Sequence, residues 1–133
     1  MPDGNGVAGV RMPELSVPLA TYTGWNLFND RSGPTNVLSS MQGSYIPLPR
    51  TAAERKQNRA IRVPSIDERY PTKDQYVAKV TQAAQTLIGQ GYMLQEDLDV
   101  VVKNAARHWD YIASSPNPST AQRWRRRLRR GTA

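Results

Sequence analysis

Cysteine is absent from this 133-residue sequence, and histidine occurs only once, at position 108. Without cysteine the chain cannot form a disulfide scaffold or a thiolate metal site, and a single histidine argues against a zinc site. No apolar run approaches the roughly 20 residues that span a bilayer, and the first ten residues lack the basic and apolar parts of a signal peptide. We therefore expect a soluble, cytoplasmic protein without a transmembrane segment.

Acidic residues are also absent from the last 20 positions, 114–133, although six arginines lie there. The preceding 113 residues hold 12 basic and all 11 acidic side chains, so the net charge of +7 belongs almost entirely to this tail. Such a tail can bind nucleic acid by counterion release, lie on an anionic surface, or remain a solvated extension. The candidate contacts to an anion or to nucleic acid are Arg123, Arg125, Arg126, Arg127, Arg129 and Arg130.

Regular strands are poorly supported in residues 1–64, which contain seven of the ten prolines and six of the nine glycines. Proline removes a backbone donor and is confined to strand edges, bulges and turns. Short apolar segments such as 17–19 and 45–48 are interrupted in this way. We predict an irregular arm with short extended segments, which needs a neighbouring surface to pack against.

Residues 65–113 show the patterns of helices. Ser65 with Glu68, and Thr72 with Gln75, have the spacing of capping boxes. Apolar residues then recur at three- and four-residue steps up to the glycines at 89 and 91, and again from 98 to 109. A short loop between two amphipathic helices implies an antiparallel hairpin, with helices at about 73–89 and 95–112. The predicted fold class is mainly α, with an irregular Pro/Gly-rich N-terminal half (1–64), a helical hairpin region (65–113), and a linker with a basic tail (114–133).

Two patterns that suggest chemistry are better explained as structural features. Gly4, Gly6 and Gly9 match G-x-G-x-x-G, but that fingerprint needs a preceding strand and only three residues come before Gly4, so turn chemistry is favoured. His108 precedes Asp110 by two residues, and positions i and i+2 of a helix point apart. The chain also contains neither a G-x-S-x-G elbow nor a Walker loop. The residues therefore predict no catalytic, cofactor-binding or metal-binding side chain, and no cofactor.

Several segments of the chain, in order, resemble the bacterial alpha/beta hydrolase domain-containing protein family. The stretch VPLATYTGWNL at 17–27 is similar to a signature segment of that family. The agreement continues through GSYIPLPRTAAER and PSIDERY to the helical hairpin, and it also includes DGNGVAGVR before the signature, so that it covers most of residues 3–112. The similarity is to the C-terminal portion of the family.

The resemblance implies an α/β-hydrolase fold in the parent protein and ester-type hydrolysis through a serine nucleophile, with no cofactor. The order of catalytic residues in such enzymes is Ser, then Asp or Glu, then His, with the serine on an elbow after a central strand. The elbow would lie before the first residue of this chain, so no nucleophile is carried over, and His108 is not assigned to the triad because it falls in a predicted helix. We expect a fragment that is not catalytic alone and whose partner is the missing N-terminal part of the domain.

Two alternatives to the hydrolase fragment remain open, and whether this chain is itself an enzyme also stays open. The first is a small basic module that binds RNA or DNA through the arginine-rich tail. The second is a helical protein-interaction module that docks the face of its hairpin onto a partner. Exposed apolar residues on the hairpin face would favour the interaction module, whereas a face covered by residues 1–64 would count against it.

Overall fold

The computed structural model describes residues 3–28, 37–39, 43–57 and 63–115. They form five α-helices, one short 3-10 helix and four short strands. In chain order these are α1 (Pro13–Ser16), β1 (Ala20–Thr23), β2 (Asn26–Leu27), β3 (Leu38–Ser39), β4 (Ser44–Pro47), α2 (Ala52–Gln57), α3 (Ile66–Arg69), α4 (Lys73–Gly89), the 3-10 helix (Gln95–Asp97) and α5 (Leu98–Ser114). The described part of the chain is mainly helical, as predicted.

The helical hairpin is formed by α4 and α5. The side chain of Thr72 accepts a hydrogen bond from the backbone N–H of Gln75, which caps α4 at the predicted position. At its other end Gly91 has a φ of +78°, in the left-handed region that commonly follows a helix C-terminus. The first predicted helix, 73–89, therefore agrees with α4. The second begins as the 3-10 helix and becomes α-helical only from residue 98, ending two residues later than predicted.

The antiparallel arrangement of the hairpin is visible in one ion pair. Lys73, at the start of α4, lies 2.7 Å from a carboxylate oxygen of Asp110, which is near the end of α5. Between them the buried face of α4 consists of Tyr76, Val80, Ala84 and Leu87, and Ala105 and Ile112 are buried on α5.

The first half of the chain contains a two-stranded antiparallel ribbon, in which β1 pairs with β4. The carboxamide of Asn5 occupies the other edge of β1. Its Nδ2 donates to the carbonyl oxygen of Ala20 at 3.0 Å, and its Oδ1 accepts from the backbone N–H of Tyr22 at 2.8 Å. The Asn5 side chain thus takes the place of a neighbouring strand along this edge. A second ribbon, β2 with β3, pairs two residues of each strand.

One hydrophobic core joins the ribbon to the hairpin. Val17, Leu19 and Leu48, from the first half of the chain, are in the same buried cluster as the apolar residues of α3, α4 and α5. Leu19 is 1% exposed, and the N–H of Leu48 donates to its carbonyl oxygen at 2.9 Å, which extends the pairing of β1 with β4 into this core. Residues of the first half therefore pack on the inner face of the hairpin.

No helix among the described residues is both long and apolar enough to cross a membrane.

Candidate functional site

The single histidine of the chain contacts a tyrosine of the β1–β4 ribbon. Tyr45, on β4, places its hydroxyl 2.6 Å from Nε2 of His108, on α5. The two rings lie with their centroids 5.6 Å apart, and Tyr22 stacks edge-on against Tyr45 at 5.7 Å. Strand pairing fixes this group, because Tyr22 and Tyr45 are direct partners in the register of β1 and β4.

Burial determines the protonation state of the pair. Desolvation lowers the pKa of His108 below its usual value, although the negative charge of Glu14 acts in the opposite direction. The pKa of Tyr45 is raised to about 12, chiefly by burial and further by the neighbouring hydroxyls of Tyr22 and Tyr111. Near neutral pH the phenol therefore keeps its proton and the imidazole is neutral, so the two groups share one hydrogen bond whose direction depends on which ring nitrogen of His108 carries the proton.

The geometry of this pair differs from that of a hydrolytic triad. In a triad the imidazole Nε2 faces the nucleophile hydroxyl and a carboxylate accepts from Nδ1–H. Here Nε2 faces the phenol of Tyr45, whose raised pKa makes it a poor nucleophile, and Asp110 points to Lys73. The Tyr45–His108 pair is therefore a hydrogen bond that links the ribbon to α5.

A serine beside two carboxylates occurs at the start of α3. The hydroxyl of Ser65 contacts Asp67, and it lies 2.6 Å from Oε2 of Glu68, which also accepts from the Ser65 backbone N–H at 2.8 Å. These hydrogen bonds, with one from Arg55, lower the pKa of Glu68 to about 2. Ser65 is 0% exposed, so a substrate cannot reach its hydroxyl. The group is the capping box that the spacing of Ser65 and Glu68 predicts.

A small apolar cavity lies between α3 and the end of α5. Its volume is about 140 Å³, and it is lined by Leu19, Arg50, Ile66, Asp67, Tyr70, Pro71, Trp109, Ile112 and Ala113. Pockets for small-molecule ligands usually have roughly 300–1,000 Å³. This one therefore accommodates a single ring or a single branched side chain rather than a cofactor.

The cavity has one basic and one acidic residue among its apolar walls, and both are held in place. Nη1 of Arg50 donates to the carbonyl oxygens of Ile112 at 3.4 Å and Ala113 at 2.9 Å, while its Nε lies 3.5 Å from Glu54. The backbone N–H of Asp67 donates to the carbonyl oxygen of Arg50 at 3.1 Å. The backbones of Arg50 and Asp67 are therefore joined at the cavity wall, while the side chain of Arg50 is held by Glu54 and that of Asp67 contacts Ser65.

The structure places the glycines of the N-terminal motif away from any long helix. Gly4 and Gly9 have φ of +76° and +75°, and the helix that follows them, α1, has only four residues. Asp3 and Asn5, between which Gly4 lies, bind β1 and each other. In residues 3–28 the motif therefore acts as a turn that fastens the start of the chain to the ribbon.

The arginines of the tail, Arg123, Arg125, Arg126, Arg127, Arg129 and Arg130, lie outside the described residues. Within the described ranges, no group of three or more His, Asp or Glu side chains has the arrangement of a metal site.

Sequence reasoning missed both the Tyr45–His108 contact and the cavity. The contact joins residues that are 63 positions apart in the sequence. Neither residue belongs to a sequence motif that would predict contact with the other. The cavity is formed by four separate stretches of chain, so only the folded structure brings its walls together.

Comparison with known proteins identifies the family. The model of a family described as "Alpha/beta hydrolase domain" matches residues 2–103. No curated protein and no solved structure matches the chain. The matched residues include the β1–β4 ribbon, α4 and the first turns of α5, and they are most of the sequence. The resemblance to this family, noted above from successive segments of the sequence, is thereby confirmed. The chain belongs to the alpha/beta hydrolase domain family.

Proposed function

We propose that this chain is the C-terminal part of a serine-dependent α/β hydrolase domain and that it takes no catalytic role by itself. In this proposal it packs on the part of the domain that carries the nucleophile, and the complete domain performs ester-type hydrolysis. The observation that carries the proposal is membership of the hydrolase family in a sequence without a G-x-S-x-G elbow.

The arrangement of the described residues supports a structural role. Ser65 is fully buried, and the imidazole of His108 is engaged by a phenol rather than by a serine hydroxyl. The first half of the chain also leaves apolar side chains in contact with solvent, since Ile46 of β4 is 51% exposed, as is Trp25 between β1 and β2. A two-stranded ribbon is marginally stable by itself, and sheets in such domains are covered by further layers. The ribbon side is therefore the surface that we assign to the rest of the domain.

Hydrolysis of p-nitrophenyl acetate by the purified chain tests this proposal. We expect a rate no higher than that of buffer, and no labelling by a fluorophosphonate probe, because the chain offers no activated serine. The variant His108→Ala and the matched exposed variant Lys103→Ala, on the same helix, should behave identically. Serine labelling, or ester hydrolysis that His108→Ala abolishes and Lys103→Ala retains, would refute a non-catalytic role.

A second candidate function is binding of nucleic acid through the tail. It rests on six arginines within positions 123–130, beside Trp124. Binding to single-stranded RNA should weaken steeply with salt and vanish when residues 114–133 are deleted, because phosphate contacts release counterions. Binding that survives the deletion, or no binding at low salt, would exclude this function.

The interaction module that docks the face of its hairpin would have to use the outer side of the hairpin. Val17, Leu19 and Leu48 already pack on the inner face, whereas Val100 and Tyr111 on α5 are 56% and 60% exposed.

A further inference from the structure

We propose that the cavity between α3 and the end of α5 binds a small uncharged molecule built on one hydrocarbon ring, of the size of benzene or toluene. The inference goes beyond the proposed function, because all the residues that line the cavity belong to this chain and include neither serine nor histidine. The family match assigns no ligand to this cavity.

The size of the cavity sets the size of the ligand. Its volume is about 140 Å³, and an engineered apolar protein cavity of about 150 Å³ stays dry and binds benzene. A cofactor or a long acyl chain needs more room, since pockets for larger ligands have roughly 300–1,000 Å³. The ligand is therefore a single ring that carries small substituents at most.

Apolar side chains form most of the walls. They are those of Leu19, Ile66, Tyr70, Trp109 and Ile112. Moving a hydrocarbon ring from water to such walls is favourable, and the two aromatic residues also allow ring-to-ring contacts. Three further lining residues, at positions 67, 71 and 113, are exposed, so a ligand can enter the cavity from solvent on their side.

The aromatic walls are held in place before a ligand arrives. The hydroxyl of Tyr70 donates to the carbonyl oxygen of Pro18 at 3.3 Å. The ring of Tyr70 lies edge-on to that of Tyr76, with 5.2 Å between their centroids, and Tyr76 in turn contacts Trp109 at 5.3 Å. Because these contacts already fix the rings, little conformational entropy is lost when a ligand binds.

Both charged residues of the wall have partners within the protein. Nη1 of Arg50 donates to two carbonyl oxygens at the end of α5, and its Nε lies 3.5 Å from Glu54. The carboxylate of Asp67 accepts from the Ser65 hydroxyl. An anionic ligand would lose hydration among the apolar walls, and the guanidinium that it could meet is already paired with Glu54. The cavity therefore favours a neutral ring over an anionic one.

Titration of the full chain with toluene, followed by heteronuclear NMR, tests the site. We expect shifts at the indole N–H of Trp109 and at the amide of Ala113. Acetamide, which is small and polar and has no ring, should shift neither signal. Benzoate carries a carboxylate on the same ring, and we expect it to bind about tenfold more weakly than toluene or worse.

Two alanine positions on the hairpin separate filling of the cavity from a general effect of an added ring. Ala113→Phe adds a ring at the cavity wall, and we expect toluene to bind about tenfold more weakly because little free volume remains. The matched variant Ala78→Phe, at an exposed position of α4 outside the cavity, should bind toluene as the unaltered chain does. Toluene should also raise the melting temperature of Ala78→Phe more than that of Ala113→Phe.

Several outcomes would overturn the assignment: no shifts with toluene, equal binding of toluene and benzoate, or shifts remote from Trp109 and Ala113. Equal toluene affinities of Ala113→Phe and Ala78→Phe would also overturn it. Toluene binding that appears only after Trp124→Ala would do the same, because the occupant would then be the terminal segment of this chain. None of these measurements depends on ester hydrolysis, so a failed cavity assignment can be told apart from a failed hydrolase-fragment proposal.

Discussion

Replacing Asn5 by alanine should destabilise the fold by an amount unusual for a residue so near the start of a chain. Asn5 is 3% exposed, and its carboxamide satisfies both the carbonyl oxygen of Ala20 and the backbone N–H of Tyr22. A net hydrogen bond contributes about 0.5–1.5 kcal/mol, and a buried group left without a partner costs about 1–3 kcal/mol. Ala20 is fully buried, whereas Tyr22 is only partly so, and water can reach the latter more readily. We expect Asn5→Ala to lower the free energy of unfolding by about 2–3 kcal/mol.

Urea denaturation followed by far-ultraviolet circular dichroism measures this loss. With a slope of about 1.5 kcal/mol per molar of urea, typical of a small protein, the midpoint should fall by about 1.3–2 M while the slope stays unchanged. Asn104→Ala is the matched control, because Asn104 is exposed on α5 and alanine favours a helix. Its midpoint should stay constant or rise slightly.

Equal midpoints for Asn5→Ala and Asn104→Ala would refute the reasoning. The Asn5 carboxamide would then not replace a neighbouring strand, and the turn explanation of the glycine motif would lose its structural basis. A loss of about 2 kcal/mol or more would instead show that D-G-N-G acts by fastening the chain to β1.

Two further predictions concern the ribbon and its contact with α5. The folded-state pKa of His108 is depressed, so the unfolded chain, whose histidine titrates near 6.5, binds this proton more readily. Stability should therefore be lost as the pH falls through about 6.5 towards the lower folded-state pKa. Thermal melts between pH 7.5 and 5 measure this loss. In His108→Gln the melting temperature should depend less on pH. An unchanged slope in His108→Gln would assign the dependence to other groups. A Cβ at Gly43 would lie 2.5 Å from the carbonyl oxygen of Thr23, whereas one at Gly24 would meet nothing within 4 Å. We expect Gly43→Ala to cost about 1–3 kcal/mol in urea denaturation, and Gly24→Ala to cost much less; equal losses would contradict the close approach at Gly43.

The hairpin could be predicted because its signals are local. Each signal lies within a few residues of the part of the helix that it determines. Thr72 caps the start of α4, the apolar spacing gives its buried face, and Gly91 follows its end. The start of α5 was less well predicted, since the acidic residues that suggested a helix at 95 lie in the 3-10 helix that precedes it. A carboxylate near a helix start stabilises either geometry, so its position does not fix the first α-helical residue.

The ribbon and both candidate sites could not be predicted, because each depends on contacts between distant residues. β1 and β4 are separated by 20 residues, and prolines border or end these strands, as the sequence pattern already indicated. Tyr45 meets His108 only after β4 has paired with β1 and the hairpin has packed on the same core. Arg50 and Asp67 become neighbours through a backbone hydrogen bond that the periodicity of the sequence does not predict.

The shared core limits which surfaces of this chain a partner can cover. Leu19 and Leu48 enter the same buried cluster as Val80 and Ala105, so the inner face of the hairpin is already used within this chain. The described residues leave apolar side chains exposed on the ribbon, where Ile46 is 51% exposed, and on α5, where Val100 is 56% and Tyr111 is 60% exposed. Apolar groups of this kind gain about 25 cal/mol for each Å² removed from water. A partner that covered these exposed side chains would therefore stabilise the chain through surfaces that the chain does not use for its own folding.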